Sequence, residues 1–537
     1  MSYIVERKVN GNIYRYEIES YWDKDKKQPR QRCKYLGPKE KAVTKKIKKA
    51  LGQLVSKSYG NIFLLEEISK SIGLSDVLKE CYPDNYQEIL LNSFYEIIGE
   101  SKNYLLHHFQ DEHYFENTKT MYSSDVSRLH SLLGSDERSK YAFTEKWIEK
   151  INPQNGIYYD ITSFSSYATN NEYVEWGYNR DKENLPQINL GMVCCMKTGL
   201  PFFYNIFPGS IVDVTTIKNF IKFLIIYKLQ DLFLILDKGF FSVSNICELM
   251  ESDRNFSLII PLPFSLNLTK ELIKNDLDIK NPQNMFQYNE EILFHKAVPT
   301  SIKGHNFTAH IFFNEKAEVD QRHLFYSKLL TYLYCVRSTR YEAKISKKEL
   351  NNQKTFETYV NDEIPNSYKN YFCYDASKKA VVRNETKINE YLSKLGFFII
   401  ISAKENLPKE DVLSFYRDKD KIEKILVLCT KYEVFDSSKN ELNTDRLHSH
   451  SKTTTEGRLF VKFIATILYQ QMTRVLRKVQ AKVMKDNDMF KKYSVTELLK
   501  ELSKMKMISL PEVGNFTTEC SKKQREIFGK FKVELKT

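Results

Sequence analysis

The sequence has no long apolar run, and this absence narrows the class of protein. Nowhere do about 18 apolar residues follow one another, the length that a membrane-spanning helix needs. The first residues, MSYIVERKVNGN, carry charges where a secretory signal would have an apolar centre. We therefore expect a soluble, cytoplasmic protein without a membrane partner.

Cysteine is also scarce and irregularly placed. The nine cysteines are scattered over 537 residues, with no Cys-x-x-Cys pair and no Cys/His spacing typical of zinc ligands. Their odd number indicates a reducing compartment and argues against a structural zinc. Internal repeats and low-complexity tracts are lacking as well, so the chain is expected to form several ordinary globular domains.

Basic residues are in excess. Lys and Arg number 81 against 68 Asp and Glu, which gives a formal charge of +13 and favours a polyanionic partner. Two short stretches are especially rich in cations, one at 39–49 and one at 474–485. Each is equally consistent with a solvated helix face.

The N-terminal part of the chain divides into two predicted domains. Residues 1–37 alternate polar and apolar side chains around Asn10-Gly11, which predicts a β-meander that begins with a hairpin. Residues 38–150 have helical spacing and predict a helical domain, which we expect to bind DNA if its helix-turn-helix-like segment is one. Its segment SSDVSRLHSLLG fits a helix-turn-helix or an ordinary bundle helix.

The rest of the chain predicts an α/β fold. In 151–261, three strand-like runs are followed by a helix, a strand, a helix and a further strand, the element order of a ribonuclease-H-like mixed sheet. Residues 262–394 predict a partly β insertion domain that interrupts this core. The core resumes over 395–455, and 456–537 predicts C-terminal helices.

Two aspartates carry the predicted chemistry. Asp160 in IYYDITSFSS and Asp237 in LFLILDKGFF each close an apolar, strand-like run. Adjacent strands lie about 5 Å apart, so a sheet that brings these ends together would place two carboxylates within reach of shared divalent cations. Two such ions activate a water or a 3′-hydroxyl and stabilise the leaving oxygen of a phosphodiester. Either Asp alone would more often be a turn-former or a helix cap.

A later helix offers a third carboxylate. Tyr416, Lys419 and Glu423 are spaced i, i+3 and i+7 and share one helix face, so Glu423 would complete the metal site beside two phosphate-binding groups. Arg417 and Lys431 are expected to reach the same DNA backbone. The alternative for Glu423 is a surface ion pair with Lys419.

At these residues the chain resembles the DDE transposases of bacterial insertion sequences, in particular the insertion-sequence-four type. The matching blocks lie within residues 150–480: YYDITSF, GYNRDKENLPQINLGMV, GLPFFYNIFPGSIVDVTTI and LILDKGFFS. Tyr416, Lys419 and Glu423 resemble the signature Tyr-x2-Arg-x3-Glu-x6-Lys. Lys419 replaces the Arg, and Lys431 lies one residue beyond the expected Lys.

The resemblance implies a catalytic triad of Asp160, Asp237 and Glu423 that holds two Mg²⁺ or Mn²⁺ ions. It implies binding of double-stranded DNA at terminal inverted repeats, cleavage at the element ends, and joining of the 3′-hydroxyls to target DNA by a synaptic homodimer in the bacterial nucleoid. Arg180 and Gln187 would contact DNA or brace the site, and Asp213 is expected to be a helix N-cap. A structure-selective nuclease and an inactive DNA-binding remnant remain as alternatives.

Overall fold

The computed structural model describes most of the chain. The described residues are 2–9, 12–38, 54–99, 102–116, 118–153, 156–168, 170–177, 185–252, 255–275, 278–337, 364–375, 377, 380–404, 406–418, 451–482, 489–510 and 514–535. They form two compact units: residues 1–135 with 457–537, and residues 136–456. Among the described helices, none combines the length and the apolar character needed to cross a membrane.

The first unit opens with an antiparallel sheet, here called the N-terminal sheet, of strands β1 (Ser2–Val9), β2 (Asn12–Asp23) and β3 (Gln28–Pro38) in that order. Val9 pairs with Asn12, so the predicted hairpin across residues 10 and 11 is confirmed. A second small sheet has the order β17-β16-β4. Its strands are β4 (Val55–Ser58), β16 (Lys506–Leu510) and β17 (Gly514–Thr517).

Helices make up most of the rest of the first unit, as the spacing of apolar residues predicts. They are α1 (Gly60–Ser71), α2 (Leu74–Cys81), α3 (Tyr86–Ile98), α4 (Leu106–Glu112) and α5 (Ser123–Ser135), followed after the second unit by α15 (Met489–Lys492), α16 (Val495–Leu502) and α17 (Lys522–Lys530). The long helix α14 (Lys452–Gln480) begins four residues before the predicted Glu456. Its residue Lys462 makes a buried ion pair with Glu96 of α3 (3.7 Å).

The second unit is a mixed α/β structure built on a nine-stranded sheet in the order β10-β11-β12-β15-β9-β8-β5-β6-β7. Its strands are β5 (Gly156–Ser165), β6 (Gln187–Cys195), β7 (Pro201–Pro208), β8 (Phe233–Ile235), β9 (Ser257–Pro261), β10 (Met285–Tyr288), β11 (Glu291–Ile302), β12 (His305–Phe313) and β15 (Phe397–Ser402). Every residue of β5 and β6 is buried, which explains why both read as continuous apolar runs.

Strand directions within this sheet are mixed. β5 pairs antiparallel with β6, and β6 pairs antiparallel with β7. β8 lies between β5 and β9 and is parallel to both. The two parallel connections pass through helices α7 (Asp213–Ile226) and α8 (Val243–Met250). β15 returns antiparallel to β9. The prediction of a large mixed α/β sheet is therefore confirmed.

Strands from the interval 262–394 extend this same sheet. β12 pairs antiparallel with β15, β11 with β12, and β10 with β11. A separate two-stranded sheet is formed by β13 (Phe372–Asp375) and β14 (Ala380–Arg383). In the part of the second unit that the structure describes, the remaining α-helices are α6 (Glu137–Ile151), α9 (Asn267–Asn275), α10 (Glu315–Arg337), α11 (Asn366–Lys369), α12 (Glu385–Leu392) and α13 (Lys409–Asp418).

Candidate active site

Asp160 and Asp237 lie in the same register on adjacent parallel strands. The ladder between β5 and β8 pairs Gly156 with Phe233 and ends with Tyr158 opposite Ile235. Each aspartate is two residues beyond that last pair, so both continue the row and project from the same face of the sheet. Neighbouring strands are about 5 Å apart, so the two aspartates occupy equivalent positions on adjacent parts of the chain, just past the end of the ladder.

One detail of the sequence interpretation is wrong. Asp160 does not close its strand, because β5 continues to Ser165 while it pairs with β6, where Asp160 lies opposite Met192. What ends near Asp160 is the shorter ladder with β8, which stops at Ile235. Strand β5 therefore continues before and after Asp160, and the residue is only 2% exposed.

The backbone holds both carboxylates. Oδ1 of Asp160 accepts a hydrogen bond from the N–H of Ile161 (2.9 Å), and Oδ1 of Asp237 accepts one from the N–H of Lys238 (2.7 Å). Asp237 caps a short 3₁₀ turn over Lys238–Phe240. A carboxylate has two oxygens and about four lone-pair sites, so it can keep such a hydrogen bond and also ligate a cation.

Aromatic packing fixes the opposite face of β5. The ring of Tyr159 stacks on Phe220 of α7, with centroids 4.4 Å apart, and it also contacts Phe240 after β8. Burial, with smaller contributions from the charges of Asp213 and Asp160, raises the pKa of Tyr159. Since side chains alternate along a strand, this packing directs Asp160 away from α7.

Asp213 is a further acidic residue near this end of the sheet. It is the first residue of α7, and the N-cap position belongs to Val212, so the prediction of an Asp213 cap is wrong. A Cβ atom on Gly239 would lie 3.2 Å from Oδ2 of Asp213, which places this carboxylate beside the turn that follows Asp237. The sequence around Asp213 did not predict that this carboxylate lies beside the turn after Asp237.

Helix α13 packs on the face of the sheet from which the two aspartates project. Phe415 contacts Phe233, which is four residues before Asp237 on the same face of β8 (centroids 6.0 Å apart). At the end of α13, the charge of Asp418 adds to the effect of burial and raises the pKa of Tyr158, the residue two before Asp160. The chain therefore leaves the described part of α13 close to the aspartate row.

The other predicted site residues that the structure describes have defined surroundings. Arg417 donates to Glu291 (2.8 Å) and lies over the ring of Tyr288, while Tyr416 is half-buried on the same helix. Gln187 is 2% exposed, and its Nε2 donates to Asn189 (3.1 Å) and to the carbonyl of Gly209 (3.2 Å). Gln187 thus braces the start of β6 against the loop that follows β7.

Four predicted site residues lie outside the described residues: Glu423, Lys419, Lys431 and Arg180. The interpretation of Glu423 as the third metal ligand stays a prediction. In the described part of the chain, one set of three His, Cys, Asp or Glu side chains has all its ligand atoms within 4.8 Å of one another, and that set contains neither Asp160 nor Asp237. The aspartate pair therefore requires a ligand from elsewhere to complete a three-carboxylate site.

The donor set of the aspartate row fits Mg²⁺ or Mn²⁺. Both side chains offer hard carboxylate oxygens, which these ions prefer, and Asp160 is buried where a negative charge is costly unless it is compensated. The closely spaced strands hold the two groups rigidly. The described residues thus provide two of the ligands that such an ion would need.

No protein-family model matches the chain, and no curated protein matches it by sequence. Among solved structures, it is similar to a piggyBac transposase in a synaptic complex with hairpin DNA, at 9% identity and a TM-score of 0.35. That alignment covers 83% of this chain and 70% of the other. Values this low assign neither a fold nor an activity.

Proposed function

We propose that this protein is a DDE-type DNA transposase, with Asp160, Asp237 and Glu423 as its catalytic carboxylates. The observation that carries the proposal is the shared register of Asp160 and Asp237 on β5 and β8. Two carboxylates held side by side at a ladder end are suited to phosphodiester chemistry with divalent cations.

The order of the strands around the pair supports a ribonuclease-H-like core. From the edge, β7, β6, β5, β8 and β9 follow one another, with two antiparallel pairings and then two parallel ones. This is the sheet expected from three successive strands followed by a helix, a strand, a helix and a strand. The resemblance of the surrounding sequence blocks to insertion-sequence-four transposases selects transposition among the reactions that such a core serves.

The position of α13 supports the assignment of Glu423. This helix packs on the aspartate face, and its described part reaches Asp418, five residues before Glu423 in the sequence. If the helix continued, Tyr416, Lys419 and Glu423 would share one side of it. Glu423 would then supply a third set of oxygens, while Lys419 and Arg417 would hold DNA phosphates.

Mg²⁺ or Mn²⁺ held by these carboxylates would supply Lewis-acid activation of the attacking oxygen and stabilisation of the leaving oxygen. The protein's own contribution is orientation. Strands β5 and β8 fix the two aspartates, and Gln187 braces β6 beside them. Lys431 and Arg180 are proposed to bind phosphates near the scissile bond.

We propose that the partners are terminal inverted repeats and target DNA, bound by a homodimer in the bacterial nucleoid. The net charge of +13 supports a polyanionic partner. The N-terminal sheet contributes to this excess, because residues 2–38 contain nine Lys and Arg against five Asp and Glu. Its cations include Arg30 and Arg32, on one face of β3.

The test uses purified full-length protein and DNA that carries the sequences flanking its gene. The wild type should nick this DNA at the element ends in Mg²⁺ or Mn²⁺ and join the 3′-ends to a target plasmid. Asp160→Asn, Asp237→Asn and Glu423→Gln should each lower cleavage at least about 100-fold, because loss of a metal ligand removes several kcal/mol of transition-state stabilisation.

Asp320→Asn, on the exposed surface of α10, is the matched control and should cleave like the wild type. Duplex binding should survive in all four variants. Unchanged cleavage by Asp237→Asn would contradict the metal role. Cleavage without joining would instead indicate a structure-selective nuclease, and binding without cleavage in the wild type an inactive remnant.

A further inference from the structure

A second cluster of ligand-type side chains lies away from the aspartate row, on another part of the sheet unit. The Sγ atom of Cys247, a carboxylate oxygen of Glu251 and a ring nitrogen of His305 all lie within 4.8 Å of one another. Two of these residues are on or next to α8, and the third begins β12. Neither the predicted active site nor the DNA-binding surface uses them.

The helix places its two ligands on one side. Glu251 directly follows α8, and its N–H donates to the carbonyl of Cys247 (2.8 Å), so the helical hydrogen-bond pattern continues to Glu251. Residues four apart on a helix are neighbours on the same face. The start of α8 is fixed as well, since the Ser242 hydroxyl caps it by accepting from the N–H of Asn245 (3.0 Å).

A tight hairpin fixes the third ligand. His305 pairs with Ile302 across a two-residue turn of Lys303 and Gly304, whose φ angles are +52° and +88°. Two successive positive φ angles are typical of the short hairpin turns that match the twist of the strands. His305 is therefore held at the tip of the β11–β12 hairpin, with only 26% of its side chain exposed.

The separations suit a tetrahedral ion. Two nitrogen or oxygen ligands about 2.0–2.1 Å from such an ion are about 3.4 Å apart. Nε2 of His305 lies 3.7 Å from Oε1 of Glu251, a few tenths of an ångström more. The Glu251 side chain is 69% exposed, so it can adjust its rotamer without disturbing the core. An ordinary ion pair would explain these two groups but not the thiol beside them.

We propose that Cys247, Glu251 and His305 form a binding site for a borderline-soft divalent ion such as Zn²⁺. A thiolate, an imidazole and one carboxylate select zinc over magnesium, whereas the aspartate row offers only hard oxygens. Three protein ligands leave a fourth position for water. Binding would tether the tip of the β11–β12 hairpin to the end of α8. This site does not depend on the proposed function.

Proton release accompanies binding at this site. The Cys247 thiol must give its proton to the buffer when its sulfur bonds to the metal, and His305 must be neutral. No electron is transferred, and the metal keeps its charge. Zinc affinity should therefore fall as the pH is lowered.

The experiment is titration of the metal-free, full-length protein with Co²⁺ and with Zn²⁺. Co²⁺ should give a thiolate-to-metal charge-transfer band, which Zn²⁺ then displaces. Cys247→Ser should abolish the band, and His305→Asn and Glu251→Gln should weaken binding at least about 10-fold. Cys520→Ser is the matched control, because Cys520 is also half-buried but lies in the other unit.

A band that persists unchanged in Cys247→Ser would overturn the proposal, as would the lack of a band in the wild type. Glu251→Gln tests the site in a variant that should fold normally, because this exposed side chain can be replaced without changing the core. If its circular dichroism matches the wild type and its affinity for Zn²⁺ is equal, the contact is an ion pair and the metal site is refuted. DNA cleavage need not be measured, so failure here leaves the proposed transposase untouched.

Discussion

Nε2 of His295 lies 3.1 Å from Nδ1 of His310, between β11 and β12. Burial, with smaller contributions from His310 and Lys409, lowers the pKa of His295 to about 3, and burial lowers the pKa of His310 to about 4. Nε2 of His310 is buried and has no hydrogen-bond partner among the described residues. The folded pair is therefore neutral at physiological pH.

This pair predicts acid lability of the sheet unit. The unfolded chain takes up protons near pH 6.5, whereas the folded pair resists them until pH is near 4. Its contribution to stability is thus complete above about pH 6.5 and is lost as the pH falls towards 4. The apparent melting temperature should fall over this window, and unfolding should be accompanied by proton uptake.

The His295→Gln/His310→Gln double variant should flatten that pH dependence. Glutamine keeps a polar side chain but does not titrate, so the slope of stability against pH should drop by up to about two protons. The measurement is thermal unfolding between pH 7.5 and pH 5 of both proteins. An equal slope in the double variant would show that the pair does not titrate as described.

Two tyrosine hydroxyls should respond oppositely to removal. Tyr158 is 2% exposed, and its hydroxyl has no hydrogen-bond partner in the described part of the chain, so Tyr158→Phe should be neutral or stabilising by up to about 1 kcal/mol. In the other unit, the Tyr95 hydroxyl donates to the carbonyl of Lys102 (2.8 Å), and Tyr95→Phe should cost about 1 kcal/mol. Urea unfolding of the two variants gives the comparison, and the reverse order would contradict it.

Two helical glycines form a second matched pair. A Cβ on Gly457 of α14 would lie 1.8 Å from the carbonyl oxygen of His130, so Gly457→Ala must move backbone and should destabilise by at least about 1–3 kcal/mol. A Cβ on Gly529 of α17 would meet nothing within 4 Å. Gly529→Ala should stabilise by about 0.5–1 kcal/mol through helix propensity. Circular dichroism melts would test both signs, and equal effects would refute the packing argument.

Salt dependence tests the proposed role of the N-terminal sheet in DNA binding. Arg30 and Arg32 alternate with Gln31 on β3 and share a face. The Arg30→Gln/Arg32→Gln variant should bind duplex DNA more weakly and lower the slope of log affinity against log salt by about 2, because each lost phosphate contact contributes about 0.9. Fluorescence anisotropy over a range of salt concentrations would measure this slope.

Arg7→Gln is the control for that experiment. Arg7 lies over the ring of Tyr16, and Tyr16 pairs with Tyr35 of β3. Because side chains alternate along a strand, Tyr35 is on the face opposite to Arg30 and Arg32. Arg7 therefore lies on that opposite face. Its loss should leave the slope nearly unchanged. An equal change in both proteins would mean that general charge, and not this face, drives binding.

The positions of β5 and β6 could be predicted from sequence because both strands are buried throughout. Their partners could not. Residues 262–394 were expected to be partly β, but a side-chain pattern gives the faces of a strand and not its neighbour, and β12 from this interval pairs with β15 of the main sheet. Asp160 was recognised from its apolar surroundings, yet the continuation of its strand depended on pairing with β6.

Residues that are distant in sequence and meet only through tertiary contacts could not be predicted from local sequence patterns. In the described part of the chain, Cys247 and His305 are separated by the three strands β9, β10 and β11 and the helix α9, so no ligand spacing revealed them. Asp213 likewise reached the turn after Asp237 only because α7 crosses from β7 to β8.

Because β6, β7 and α7 lie between β5 and β8 in the sequence, Asp160 is synthesised well before Asp237. Asp160 leaves the ribosome with β5, but Asp237 follows only after β6, β7 and α7 have been made. A chain terminated before Phe233 would retain the first carboxylate and lack the second. Under the proposed function, nascent and truncated chains would lack the second carboxylate, and DNA cleavage would require long-range closure of the parallel ladder.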